Sequence, residues 1–330
     1  MSIAFIRRRM AAARSFVPSS SRLATVGRLV CLGFLAVMLQ GIASPSARAD
    51  LVFGTINTSA TGSGFGSFDI SNPSGSPGSY SYAWTSVLSN QPSLADLARD
   101  STSGTMYLME DPYGSKSLRS ITTAGAMTTL GTTTDSIYSM AFDNTTGGLY
   151  AYSLTAANPW QELNPASGAT LAAGTLTGSQ TSPYVAFGGN MTGAAGGGLY
   201  LASDFSSGEL IKITPSGANA STTIVGLMTG TAFDPDEPVS PFVWGTTLHL
   251  INANRLYTVN ESDASLTLLG TVTGLPGDFT RFTGAVAPVA VPEPVTLVPL
   301  ATLCAALGLR AVRGRRLRSH GRWPWRCLDE

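Results

Sequence analysis

The chain has 330 residues, 12% of them charged, and its twenty basic and twenty acidic groups balance to a formal charge of zero. That balance conceals a partition: seven arginines lie in residues 1–49 and seven in 291–330, so residues 50–290 hold six basic groups against seventeen acidic ones, a net charge of −11. Such a segment is repelled by nucleic acid and by anionic lipid headgroups, and with no cysteine it has neither a disulfide framework nor a thiolate metal site.

The first element is an export signal. Arg7, Arg8, Arg9, Arg14, Arg22 and Arg28 form a basic region without an acidic residue, and Leu29 to Leu39 form an apolar core. Ala47-Arg48-Ala49 is an A-x-A site that predicts cleavage by signal peptidase before Asp50, making residues 1–49 a signal peptide.

From Asp50 onward one unit recurs. A first copy lacks its opening strand and starts at Leu51-Val52-Phe53, with Phe68-Asp69-Ile70 behind it. The second runs from Asp96-Leu97-Ala98-Arg99-Asp100 through Met106-Tyr107-Leu108 to Thr129-Leu130-Gly131. The third runs from Ser139-Met140-Ala141-Phe142-Asp143 through Leu149-Tyr150-Ala151 to Gly174. Opening strands at Val185-Ala186-Phe187 and Thr231-Ala232-Phe233-Asp234 are expected for the fourth and fifth, followed by Leu199-Tyr200-Leu201 and Leu248-His249-Leu250. Ile70, Ile121, Leu163, Ile213 and Val259 hold one place in successive units, at intervals of 51, 42, 50 and 46 residues.

Four short alternating strands per forty-odd residues, joined by Asn-Pro, Ser-Gly or Gly-Gly turns, is the spacing of propeller blades. One blade cannot bury both its faces, so such repeats close on themselves. The expected fold is all-β: a propeller of five four-stranded blades over residues 50–288, its first blade completed by the orphan Phe282-Thr283-Gly284-Ala285-Val286-Ala287. The competing architecture is an irregular β-sandwich. The unit resembles the divergent propellers of secreted bacterial proteins, a likeness that implies a fold and no particular ligand.

Catalytic groups are sparse. His249 is the only histidine in this region, and it stands where Tyr107, Tyr150 and Tyr200 stand in other units, which predicts a packed strand residue in place of a base. Asp234, Asp236 and Glu237 bring three carboxylates within four residues, a candidate site for a hard cation such as Ca²⁺; the alternative is a solvated acidic turn. Asp100, Asp143 and Asp234 are expected to fix turns through Asx bonds. The glycine runs at Gly62–Gly66 and Gly196–Gly198 precede strands, so they are not nucleotide cradles, and no cofactor is expected. Tyr80, Tyr82, Trp84, Tyr113, Trp160, Tyr184, Phe205, Phe242 and Trp244 either line a sugar-binding surface or pack in blade cores, with Trp160, after Asn158-Pro159, expected to be exposed.

The last element spans residues 289–330. Pro292-Glu293-Pro294 cannot be helical, because each ring fixes φ and disfavours the α region for the residue before it. An apolar stretch from Val295 to Leu309 follows, extendable to about residue 312, and Arg310, Arg313, Arg315, Arg316 and Arg318 would hold its far end in the cytoplasm. Fifteen helical residues reach only about 22 Å against roughly 30 Å of hydrocarbon, so this transmembrane helix at about 295–312 is a marginal anchor. The tripartite tail resembles the PEP-CTERM sorting signal of exported bacterial proteins. The resemblance implies processing by an exosortase-type enzyme and delivery to the cell surface or extracellular matrix.

The expectation is therefore an exported, non-enzymatic envelope protein whose partners are signal peptidase, an exosortase, the membrane through its C-terminal helix, and extracellular polysaccharide. The alternative is a secreted glycan-active enzyme using carboxylates on the propeller loops.

Overall fold

In the computed structural model of the protein the described residues are 50–287, apart from 60–61, 154–155, 180–189 and 204–207. The signal segment with Ala47 and Ala49, and the tail with Pro292, Glu293, Pro294, its arginines and its expected helix, lie outside them. Among the described residues no helix is long and apolar enough to cross a membrane.

The described residues form twenty-two strands in five sheets. Blade 2 is β5 (Leu94–Arg99), β6 (Met106–Glu110), β7 (Ser117–Ile121) and β8 (Met127–Thr132), in that order from the axis outward. Blade 3 repeats it with β9 (Ile137–Phe142), β10 (Leu149–Ser153), β11 (Trp160–Leu163) and β12 (Thr170–Gly174). Blade 4 has β14 (Asn190–Gly193), β15 (Leu199–Ala202), β16 (Glu209–Ser216) and β17 (Asn219–Leu227); blade 5 has β18 (Val239–Trp244), β19 (Thr247–Asn252), β20 (Arg255–Val259) and β21 (Leu266–Thr273). Blade 1 joins both ends of the domain: β1 (Leu51–Thr58), β2 (Gly62–Asp69) and β4 (Thr85–Gln91) lie outside an innermost β22 (Phe279–Val286), with Phe53 opposite Val286.

The innermost strands β22, β5, β9, β14 and β18 each pack on the next, and β18 returns to β22, so the ring is closed. The fold is a five-bladed β-propeller, and the sandwich alternative fails because no two sheets form a single face-to-face pair. Five apolar clusters fill the five seams between successive blades, one cluster per seam. This is how a blade buries both faces: β10 and β15 are buried along their whole length, where the sequence pattern predicted alternation.

Two short strands add a second stitch. β3 (Tyr80–Ala83) leaves blade 1 to pair in parallel with β21 of blade 5, and β13 (Leu176–Gly178) pairs in parallel with β17 of blade 4. The recurrent glycine of the outermost strand has its reason at the same perimeter. A Cβ at Gly131, Gly174, Gly226 or Gly270 would strike the backbone carbonyl of Ser167, Ala218, Asp263 or Tyr80, each in the next blade round the ring.

Of two expected opening strands, one lies outside the described residues and the other differs from expectation. Val185–Phe187 lies outside the described residues, and the inner strand of blade 4 is Asn190–Gly193. Thr231–Asp234 is not a strand: Pro235 and Pro238 punctuate it, Asn252 Nδ2 donates to the carbonyls of Asp234 and Glu237, and the inner strand of blade 5 comes later, at Val239.

Candidate functional site at one mouth of the ring

Because the five inner strands run parallel to one axis, their N-terminal ends open one mouth of the ring and their C-terminal ends the other. Three residues before the end of each inner strand stand Thr283, Asp96, Ser139, Asn190 and Pro241, and the four polar ones are buried. They staple the ring from inside. Thr283 Oγ1 donates to Leu94 O of blade 2 at 2.9 Å, and Asn190 Nδ2 donates to Val239 O and Ser240 Oγ of blade 5 at 3.1 and 2.8 Å.

Asp96 is the hub. Only 1% exposed, it sits at a register shift in β5 with φ +38°, and its oxygens accept Leu97 N at 2.7 Å and Met140 N at 2.6 Å. Burial pushes its carboxyl up to about 8, against the opposing pull of the backbone N–H groups of Met140, Leu97 and Met191. An inner strand has no neighbour on its axial side, so those amides need a partner, and one carboxylate serves amides of blades 2, 3 and 4.

Around this hub the N-terminal mouth forms a narrow hollow of about 50 Å³ lined by Asn57, Asp96, Pro112, Tyr113, Tyr138, Asn190, Arg281 and Thr283. Tyr113 is 59% exposed, and its ring meets Tyr138 edge-on at 5.3 Å. Burial, with the Tyr113 hydroxyl beside it, holds the Tyr138 phenol up to about 12, so Tyr138 remains a neutral hydroxyl carrier. The loop presenting Tyr113 is fixed by Asp111, whose carboxylate accepts Gly114 N at 3.0 Å and Ser115 N at 2.9 Å, and by Lys116 Nζ donating to Thr134 O. Left-handed non-glycine residues gather on this side as well: Asn90, Asp96, Asp111 and Lys116 in blades 1 and 2, with Ala232 and Ala253 beyond, leaving only Ala264 at the other side among the described residues. Backbone held in such conformations persists only where the surroundings over-determine it.

The opposite mouth is wider, about 240 Å³, and mainly apolar, with Ala98, Phe142, Met191, Val243 and Val286 on its wall and Arg99 at its rim donating to Ala287 O at 2.9 Å.

The expected candidates fall elsewhere. Asp234 Oδ1 accepts Asp236 N at 3.0 Å in an Asx turn, and neither Asp236 nor Glu237 joins it around a common point; among the described residues no three His, Cys, Asp or Glu converge to hold a metal. Asp100 and Asp143 fix their turns as expected, accepting Thr102 N and Thr145 N. His249 is 2% exposed, stacked on Phe242 at 5.2 Å with Nδ1 on Thr247 O, and burial holds its imidazole below the ordinary range: it is the packed strand residue. Trp160 is buried against Tyr150, contrary to its expected exposure, because Asn158-Pro159 ends the preceding turn and the indole enters the seam between blades 3 and 4. Tyr82, Trp84 and Phe242 are core residues too, and Tyr184 and Phe205 lie outside the described residues. Of the expected aromatics, Tyr113 alone is a large exposed ring among the described residues. Sequence reasoning missed Tyr138, Arg281 and the role of Asp96; the one available signal was a carboxylate standing where the aligned third unit has Ser139.

No protein-family model matches the chain, and no curated protein sequence matches it. Among solved structures it is similar to virginiamycin B lyase from Staphylococcus aureus, at 13% identity and a TM-score of 0.36, over 68% of this chain and 71% of that one. It is similar also to an auxiliary nutrient binding protein from Bacteroides thetaiotaomicron, at 11% identity and a TM-score of 0.43, over 71% and 64% of the two chains. A chain of a nidogen/laminin complex matches at 10% identity and a TM-score of 0.42, over 72% and 98%. No function is carried across from these proteins.

Proposed function

We propose that the chain is an exported bacterial envelope or matrix protein, cut before Asp50 and sorted through Pro292-Glu293-Pro294 and the arginines from Arg310 to Arg318. Its propeller binds extracellular polysaccharide without turning it over. The observation that carries the binding reading is the narrow mouth. An exposed Tyr113 ring braced on Tyr138 offers a stacking face for the C–H side of a sugar, and Asn57, Arg281 and the tyrosine hydroxyls offer hydrogen bonds beside it.

Hydrolysis by the usual route needs two carboxyl groups flanking the bond, one of them free to move a proton. Asp96 is the only carboxylate lining this hollow, and backbone amides occupy both its oxygens. That favours recognition over the glycan-active alternative.

Glycan-array binding of the exported protein and of Tyr113→Ala tests the reading. Wild-type binding reduced at least tenfold in the variant, with no cleavage products, is expected, since stacked aromatic contacts are worth about 0.5–1.5 kcal/mol beyond their burial. Equal binding by the two proteins, or release of shortened glycans, would overturn it.

A further inference from the structure

We infer that the wide apolar mouth is the face turned toward the membrane and that the Tyr113 mouth points away from it. The inference rests on the reading of the tail as a membrane anchor. β1 begins and β22 ends side by side, with Phe53 opposite Val286, and Val286 and Ala287 line the wide mouth. Both ends of the ring therefore leave from one face. At the start, Asp50 O accepts Ile70 N at 3.1 Å, so the expected cleavage point abuts the folded ring on that side.

Chain length makes the orientation one-sided. Val295, where the apolar stretch begins, is eight residues beyond Ala287, and eight residues fully extended reach at most about 29 Å. To put the narrow mouth against the bilayer, the linker would have to leave the innermost strand, cross three strand spacings and then run the length of β4, seven residues long. That path is about 14 Å plus about 23 Å, roughly 37 Å, beyond what the linker spans. The two faces also differ in the direction this orientation requires. Turns between the inner strands and their neighbours at the wide mouth are short, such as Asp143–Gly148 and Ala194–Gly198, whereas the connection into the inner strand of blade 5, 228–238, rises on the other side. A polysaccharide site at the narrow mouth would thus be held outward, clear of the headgroups that repel an acidic ring.

The chain from Asp50 to Glu330, with Cys304 and Cys327 replaced by serine, is the background for two single-cysteine variants, Thr246→Cys at the wide mouth and Thr134→Cys in the loop beside the narrow one; both positions are exposed. Each is labelled with an environment-sensitive fluorophore and reconstituted in phosphatidylcholine vesicles carrying headgroup nitroxides. Quenching several-fold stronger at 246 than at 134 is expected. Flotation with equal quenching, or with stronger quenching at 134, would refute the orientation and leave the anchor reading intact. A chain that does not float with the vesicles would remove the anchor reading and the inference with it.

Discussion

The two mouths of the ring are built from the same five strands, yet they are different surfaces. The wide mouth closes with turns that the repeat prescribes: Asp100, Asp143, Asn164 and Asn260 accept the amide two residues on, and glycine supplies the left-handed corner at Gly104, Gly147 and Gly168. The narrow mouth breaks the repeat. It carries an unmatched carboxylate, left-handed residues that are not glycine, and an exposed tyrosine on a loop pinned by Asp111. Periodic turns are what stability alone demands, and departures from them mark where the chain spends stability on presenting particular groups.

The comparison breaks most severely if the ring is opened. Truncation before Phe279 removes the innermost strand of blade 1, the partner of both β1 and β5, and should cost the whole domain stability, on the order of 5 kcal/mol or more. Truncation at Ala290 should leave the melting temperature unchanged. β3, bridging blade 1 to β21, cannot hold the seam alone, because it pairs over only four residues. Calorimetry of the two fragments checks this.

Next in size is the hub. Asp96→Ala leaves Leu97 N and Met140 N buried without their acceptor, about 1–3 kcal/mol for each by denaturant titration. The pH dependence has a definite sign. A carboxyl that keeps its proton up to about 8 in the folded ring and loses it near 3.8 when unfolded makes the folded state the greater proton binder between those values. Stability should therefore fall as pH rises from about 4 to about 8 and level off above. Asp96→Asn should flatten this component of the slope; an unchanged slope would mean that the carboxylate is ionised in the ring.

A smaller loss is expected at the perimeter. Gly131→Ala sets a methyl group against Ser167 O of the next blade and should cost about 1–3 kcal/mol, and Gly217→Ala, at a turn with open space around it, should cost less than that. Urea midpoints of the two variants compare a seam glycine with a turn glycine. The smallest stability effect belongs to the proposed site: Tyr113→Ala should change stability by less than about 0.5 kcal/mol, its ring being mostly exposed.

Much of the ring was legible in the sequence. Recurrence of Ile70, Ile121, Leu163, Ile213 and Val259 located the third strand of each blade to within a few residues, and all five are buried. The orphan Phe282–Ala287 was readable as the missing strand because a blade lacking its innermost strand leaves a seam open. The inner strand of blade 5 was not readable: Ala232-Phe233-Asp234 repeats Ala141-Phe142-Asp143, and local sequence cannot show that Val239–Trp244 takes the axial place. The candidate site was the least legible part. Tyr113, Tyr138, Asp96 and Arg281 come from three different stretches of chain, and only closure of the ring brings Arg281 of the last strand beside Asp96 of blade 2.

The most direct test of the contrast between the mouths is hydrogen–deuterium exchange of the chain from Asp50 to Ala290 with and without the producing cell's own extracellular polysaccharide. Protection on binding should be confined to the narrow-mouth segments, Asn57, Asp111–Lys116 and Tyr138, with the turns at Ser101, Asn144 and Thr246 unchanged. Protection at the wide-mouth turns, with the Tyr113 loop exchanging as before, would contradict the account.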